Sequence, residues 1–405
     1  MIPVEEALAH VRQGVAPIGR ELVSLSEALG RVLAAPAVSR ITQPFADVSA
    51  MDGHAVRGAD VASPGASLTV IGESAAGRGL AETLQPGQAA RIFTGAPLPA
   101  GADTIVIQEI VESDGATIWV AESVPEGRFV RKRGMDFTEG DALIHPGKIL
   151  TARDVGLLAA MNIPWVSVSR RPRVALLATG DELVMPGEQI GPDQILSSNT
   201  VALMAAIRVF GGDPFSLGIA KDDAADLAKK IETGRRADLL ITIGGASVGD
   251  HDLVKTILDA AGFRRLFHKV RMQPGKPTIF GHLGETPVLG LPGNPVSALV
   301  MTHIFVRAAL EGMLGIAPEP DQPPLTAVLT HDLRAGHSRQ EYMRGTLGRA
   351  EDGSLVVDTF AIQDSSLLAR LSAADCLVIR PVDAPAAKAG DRVSIIPLGL
   401  GNNRF

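Results

Sequence analysis

The chain has 405 residues, a net charge of −7, 46% hydrophobic and 20% charged residues. That composition supplies a sizeable core and argues against disorder, while the acidic balance and an aromatic content of 4% argue against a general nucleic-acid or membrane-surface binder. One cysteine, Cys376, excludes a disulfide framework or a cysteine zinc site within one chain and suits a reducing, cytoplasmic compartment.

At roughly 150 residues per domain the length predicts two to four domains. MIPVEEALAHVRQGV places Val4, Leu8 and Val11 at helical spacing. It has no basic stretch followed by an apolar core, so it reads as a helix and not a signal peptide. Helix is expected through residue 40, with VSLSEALGRVLAAP ending at Pro36. From 41 to 140 the pieces ASLTVIGE, QAARIFTG, DTIVIQE and ATIWVAE alternate with Gly/Pro turns, the pattern of a β-rich domain. DALIHPGKIL and a helical TARDVGLLAAM follow.

Beyond Arg171 the pattern becomes strand–helix alternation. RPRVALLATGDEL, PFSLGIAKDD, ADLLITIGG and ETPVLGLPGNP read as strands. NTVALMAAIRVFGG, DAADLAKKIETG, DLVKTILDAAG and PVSALVMTHIFVRAALEGML read as helices. This predicts a parallel, doubly wound sheet. No stretch of about 18 apolar residues is seen, so no transmembrane helix is expected. PEPDQPP reads as a linker, and PLTAVLTHDL, EYMRGTLG, SLVVDTF, DCLVIRP and DRVSIIPL as a small all-β domain.

Ligands of open α/β sheets bind beyond the carboxyl ends of the strands. ATGDEL, AKDD, GGASVGDHD and LPGNPVSA all fall there and are expected to converge. Gly244 and Gly245 permit close backbone approach and positive φ, and exposed N–H groups at the following helix suit a phosphate or another oxyanion. Glu182, Asp222, Asp223, Asp250 and Asp252 supply hard oxygen ligands of the kind Mg²⁺ shares with a phosphate. Lys269, Arg271 and Lys276 can balance ligand charge. Blander roles compete at each position. A strand–Gly–Gly–helix turn serves tight packing, Asp222, Asp252 and Asn294 serve as helix caps, and His251 serves as a solvated loop residue. A second cluster, SAMDGHAV, RIFTGAPLPAGAD and VRKRGMD, places Asp52, Thr94 and Asp136 in turns of the β-rich domain; each could equally be an ordinary β-turn.

SAMDGHAV, RIFTGAPLPAGADTIV, RKRGMD, ATGDEL, SSNT, GGASVGDHD, PGKP and LPGNPVS occur together and in this order. The whole chain thereby resembles the molybdopterin molybdenumtransferase (MoeA) family, relatives of the gephyrin E domain. The resemblance implies a multidomain α/β plus β protein. An elongated helical domain would span 1–44 and 141–171, a β-rich domain 45–140, a doubly wound α/β molybdopterin-binding domain 172–318 and a C-terminal β-barrel-like domain 322–400. It implies insertion of molybdate into adenylylated molybdopterin with release of AMP, dependent on Mg²⁺. It also implies a homodimer whose α/β site faces the partner's β-rich domain, so that Asp52, Thr94 and Asp136 complete the site from across the interface.

Carried over by position, Glu182, Asp222 and Asp252 are the expected Mg²⁺ and orientation residues, with Asp250 a further acid. Gly244, Gly245, Ser247 and Gly249 resemble the pterin-phosphate loop. Lys269 and Lys276 match basic positions, Pro292, Asn294 and Pro295 shape the pocket, and Ser297, Arg344 and Ser365 lie near it. Three positions depart from the family's pattern. His54 stands where tyrosine is usual, Gln273 where lysine can stand, and IQDSSLLARL lacks a glycine often found beside its serine. Two other readings remain: a molybdopterin adenylyltransferase, which lacks the SAMDG and RIFTGAPLP motifs, and a non-enzymatic scaffold of the same fold. Expected partners are an adenylyltransferase and recipient apo-molybdoenzymes, with no nucleic acid and no membrane.

Overall fold

The computed structural model describes residues 1–221, 223–244, 253–317 and 324–399. The chain divides into two compact units, one of residues 1–35, 146–152 and 167–405, the other of residues 36–145 and 153–166.

The smaller unit is built on a six-stranded sheet of β1 (Gly53–Val56), β2 (Ala66–Ser74), β3 (Gln88–Ile92), β4 (Thr104–Ile107), β5 (Val111–Ser113) and β6 (Thr117–Val120). Their order is β4-β1-β3-β2-β6-β5, antiparallel except for the β2–β3 pair. Alternate residues turn to opposite faces. Val56, Leu68, Ala89, Val106 and Ile118 fill one core, and Ala55, Ile92, Ala96 and Ile105 a second.

The larger unit begins with α1 (Val4–Gln13), which buries Val4, Ala7 and Val11. The expected helix over 23–36 does not form. Arg20–Ser24 is a strand and Leu25–Glu27 a single 3₁₀ turn. Backbone groups beyond it pair at long range instead, Gly30 N and Leu33 N donating to Leu150 O and Lys148 O at 2.8 and 2.9 Å. Those bonds outweigh the weak helical preference of the local sequence. The helix read in TARDVGLLAAM is present as α2 (Ala152–Ala160), which belongs from residue 153 onward to the smaller unit.

The central sheet contains β7 (Arg173–Thr179), β8 (Asp213–Ala220), β9 (Leu239–Ile243), β10 (Phe263–Phe267), β12 (Ile279–Leu283) and β13 (Thr286–Leu291); β11 (Met272–Gln273) joins a different sheet. The order is β8-β7-β9-β13-β12-β10. The first four strands are mutually parallel, while β12 pairs antiparallel with β13 and β10 antiparallel with β12, so the sheet is mixed and not wholly parallel. Helices α3 (Ser198–Val209), α4 (Ala224–Gly234), α5 (Leu253–Ala260) and α6 (Pro295–Leu314) cover both faces. Val174, Leu176, Leu239 and Ile241 pack with α1, α3 and α6, while Ala175, Leu177 and Leu240 pack with α4 and α5. Since β7 leads outward to β8 and the chain then crosses back to β9, the connection reverses direction between β7 and β9.

Helix α6 is long and apolar enough to cross a membrane, but 72% of it is buried within the fold. Its middle turn, Thr302–Val306, is a π-helix. The C-terminal region forms a closed five-stranded barrel of β14 (Thr326–Leu329), β15 (Gln340–Arg349), β16 (Leu355–Thr359), β17 (Cys376–Arg380) and β18 (Arg392–Pro397), ordered β15-β16-β14-β18-β17 and closed by β15–β17 pairing. A short helix, α7 (Leu368–Ser372), precedes β17. Tyr342 and Leu377 of the barrel enter the same core as α1, α3 and α6.

Candidate active site

A cavity of about 680 Å³ opens at the carboxyl edge of the central sheet. It sits where β7 and β9 diverge, the crevice in which open α/β sheets bind ligands, and its size suits a small organic molecule. Four loops meet there as expected. Gly180 and Glu182 follow β7, Lys221 follows β8, Gly244 follows β9, and Gly293, Asn294 and Pro295 follow β13. Ser197, Ser198 and Asn199 at the start of α3 close one side, and Ile195 and Leu196 form an exposed apolar rim.

The floor is backbone. Gly244 has φ +88°, and a Cβ there would lie 2.7 Å from Thr179 O. Gly244 N donates to Leu291 O at 3.0 Å, tying the ends of β9 and β13. Gly180 has φ +143°, a backbone conformation that residues with side chains rarely adopt, and the Glu182 carboxylate occupies the space beside it. Glycine at these strand ends therefore lets the backbone come directly against a ligand, although the Gly180 and Gly244 N–H groups themselves donate to Ala220 O and Leu291 O. The N-termini of α3 and α6 both border the cavity and present partial positive charge. Lys221 adds a full one at the wall.

Asp223, expected as one of the carboxylate ligands, instead caps α4, its Oδ1 accepting from Ala225 N at 2.7 Å and Asp226 N at 2.9 Å. Asn294 occupies the N-cap position of α6 but makes no side-chain cap. Its Nδ2 donates to Ser365 Oγ at 2.9 Å, and Val296 N donates to Ser365 O at 3.1 Å. Ser365 thus links the barrel side of this unit to the cavity. Arg344 holds the segment before it. This arginine is 1% exposed on β15, and its guanidinium donates to Gln363 Oε1 at 3.0 Å and Asp364 O at 2.8 Å. Burial lowers its pKa, with Asp364 opposing the shift. Arg344 is accordingly a support for the Ser365 segment.

Other expected site residues lie elsewhere. Lys269 and Lys276 are absent from the described cavity wall. Their carbonyls accept from Ile2 N and Val270 N at 3.0 and 3.1 Å, where they anchor the chain beside α1. Gln273 accepts from Arg339 Nη2 at 2.7 Å. Pro292 is buried behind the wall, and Ser297, 4% exposed, faces the core. Asp222, Gly245, Ser247, Gly249, Asp250, His251 and Asp252 lie outside the described residues. Among the described residues no group of three His, Cys, Asp or Glu is arranged to hold a metal.

In the smaller unit, Asp52 and Thr94 meet. Asp52 Oδ1 accepts from Thr94 N at 2.7 Å and Thr94 Oγ1 at 2.8 Å. These two bonds, the backbone one foremost, hold its carboxyl below the usual carboxylate range. Gly95, the next residue, and Asp136 line a cavity of about 430 Å³ with exposed Phe45 and Met135. His54, adjacent on β1, is 7% exposed, and its Nδ1 has no partner among the described residues. Lys221 and Asn199 were not singled out from sequence. A lysine beside two acids and an asparagine inside SSNT carry no distinctive spacing, and only the meeting of α3 with the loop after β8 makes them neighbours.

Residues 2–162 match the family model "MoeA N-terminal region (domain I and II)", residues 175–312 "Probable molybdopterin binding domain", and residues 326–398 "MoeA C-terminal region (domain IV)". The chain is 37% identical to the molybdopterin molybdenumtransferase of Nostoc sp., covering 94% of this chain and 89% of the relative. It is 34% identical to that of Haemophilus influenzae, covering 94% of each. The solved structure of the molybdopterin biosynthesis MoeA protein from Pyrococcus horikoshii superposes with a TM-score of 0.84 at 29% identity, over 98% of this chain and 99% of that one. The fold, the loops gathered at the carboxyl edge and the end-to-end similarity together place this chain in the molybdopterin molybdenumtransferase family, enzymes of molybdenum cofactor biosynthesis.

Proposed function

We propose that the chain inserts molybdenum into molybdopterin, taking molybdopterin adenylate and molybdate as substrates, and releases AMP in a Mg²⁺-dependent reaction. The observation that carries this reading is the cavity at the β7/β9 divergence, with its backbone floor, two helix N-termini, Lys221 and Glu182. Phosphates and molybdate are oxyanions, which N–H groups and a lysine bind. The dithiolene of the substrate supplies sulfur to the metal, so a chain with one cysteine is adequate.

Of the proposed ligands, Glu182 lies among the described residues and its carboxylate suits Mg²⁺. Glu182 is a hard oxygen ligand at the wall, and Mg²⁺ is commonly held by one or two carboxylates together with substrate phosphates and water. Glu182, Asp222 and Asp252 would hold it, and the ion would neutralise phosphate charge as AMP leaves. The chain's own contribution is positioning and electrostatic stabilisation: the glycine floor seats the ring, the helix N-termini orient the anions, and Ser365 steadies the α6 end. In a homodimer, Asp52, Thr94 and Asp136 would complete the site from the partner. A separate adenylyltransferase would supply the adenylate, and apo-molybdoenzymes would receive the product.

The test is AMP release from purified protein given adenylylated molybdopterin and Mg²⁺, with and without molybdate, followed by reconstitution of an apo-molybdoenzyme. Molybdate-dependent release with reconstitution is expected. Formation of the adenylate from ATP and molybdopterin would instead support an adenylyltransferase, and neither reaction would support a scaffold.

A further inference from the structure

We propose that Asn199 reads the amino edge of the substrate's heterocycle, its Oδ1 accepting a hydrogen bond from a ring amino or N–H group. The inference rests on the functional reading above and assigns one residue of that site a discriminating role.

Asn199 is the second residue of α3 and lines the cavity. Its Nδ2 donates to Gly293 O at 2.6 Å. A carbonyl can only accept, so this contact decides which end of the amide faces Gly293. The Oδ1 is thereby committed to the opposite side. There it is out of solvent contact and has no donor among the described residues. Buried polar atoms are nearly always paired, and an exception in a ligand cavity calls for a partner that arrives with the ligand. The partner must be a donor. Phosphates and molybdate offer acceptors to their surroundings and are served by Lys221 and the helix N-termini. The donors of an adenylylated pterin are the 2-amino group and ring N–H groups of the pterin, the 6-amino group of adenine and the ribose hydroxyls; of these, a ring edge matches the flat aliphatic wall of the cavity.

The surrounding wall suits a flat ring. Ile195, Leu196, Leu253 and Val254 supply aliphatic faces, and Gly244 and Gly293 keep the floor free of side chains. For this contact to form, ring entry must uncover the oxygen, which is out of solvent contact without ligand. Ile195 and Leu196, 57% and 41% exposed, precede Asn199 by a few residues and form a two-residue strand against Leu183 and Val184. A site built around an unpaired acceptor penalises a ring that offers another acceptor at that edge.

The experiment measures binding of two matched pairs to the full-length protein. One pair is pterin-6-carboxylate and lumazine-6-carboxylate, which differ by 2-amino against 2-oxo. The other is AMP and IMP, which differ by 6-amino against 6-oxo. The parent protein is expected to favour the amino member of one pair by about tenfold or more, and that pair identifies the ring. Asn199→Ala should bring the ratio close to one. Asn199→Asp keeps an acceptor and loses the donor to Gly293, so its affinity should fall while the amino preference survives. A merely structural role would weaken both members equally and leave the ratio intact, which overturns the assignment of Asn199 alone. If the parent protein bound none of the four probes, the functional reading of the cavity would fall with it.

Discussion

His54 sits on β1 opposite Arg91 and Val106, 7% exposed. Burial, and secondarily the Arg91 charge, pulls its pKa from 6.5 down to about 4. The folded chain therefore holds it neutral while the unfolded chain protonates near pH 6.5. Its contribution to stability is complete above that pH and is lost as pH falls toward 4. After partial solvent screening the loss is on the order of 2 kcal/mol. His303, also held near 4 by burial, adds a dependence of the same sign. His54→Phe should flatten part of the acid limb when urea midpoints are compared at pH 7 and pH 5. An unchanged slope in that variant would mean that His54 is solvated in the native protein. Asp52, two residues earlier, behaves differently: exposed, with both Thr94 bonds on one oxygen, it keeps its charge well into acid.

Helix α6 connects core, cavity and barrel. Pro295 begins it with the φ a first helical turn requires, and its buried face joins the core of α1 and α3. It ends at Gly315, whose left-handed φ of +65° stops the helix. Its N-terminus borders the ligand cavity and is held from the barrel side by Ser365, which Arg344 and Gln363 keep in place. Ser365→Ala removes the acceptor of Asn294 Nδ2. The expected cost is about 1 kcal/mol in stability, read as a small shift in urea midpoint. AMP release should fall about tenfold, because the α6 end is no longer fixed against the ligand. Full activity in this variant would remove Ser365 from the site.

Asp52 lies in one compact unit and Glu182 in the other. If the site is shared between subunits as proposed, two inactive variants can repair each other. In a mixed dimer of Asp52→Ala and Glu182→Ala chains, one site pairs two intact halves and the other pairs two defective ones. Random re-association should then restore about a quarter of parental AMP release. Each variant alone should remain dimeric and inactive by sedimentation and turnover. A mixture as inactive as its components would place both acids in a site made by a single chain.

The strand–helix alternation over 173–314, the glycine ends of its strands, the five barrel strands and the ordered family motifs were legible because side-chain periodicity records which face of an element is buried. Periodicity does not record the partner. FRRLF carries two consecutive arginines and so gives no clean alternation, yet it closes the sheet edge as β10 by pairing with β12. The stretch 23–36 has the composition of a helix but is drawn into long-range backbone bonds with residues 148 and 150. Arg344 reads as a ligand residue by motif, and only the fold shows that its guanidinium also holds Gln363 and Asp364 in place before Ser365. The sequence alone determined the family, the architecture and the edge of the sheet where chemistry belongs. Only the tertiary structure decided which hydrogen-bonding groups are spent within the protein and which, like Asn199 Oδ1, have no partner among the described residues, because that depends on contacts between residues as far apart in the chain as Asn199 and Gly293.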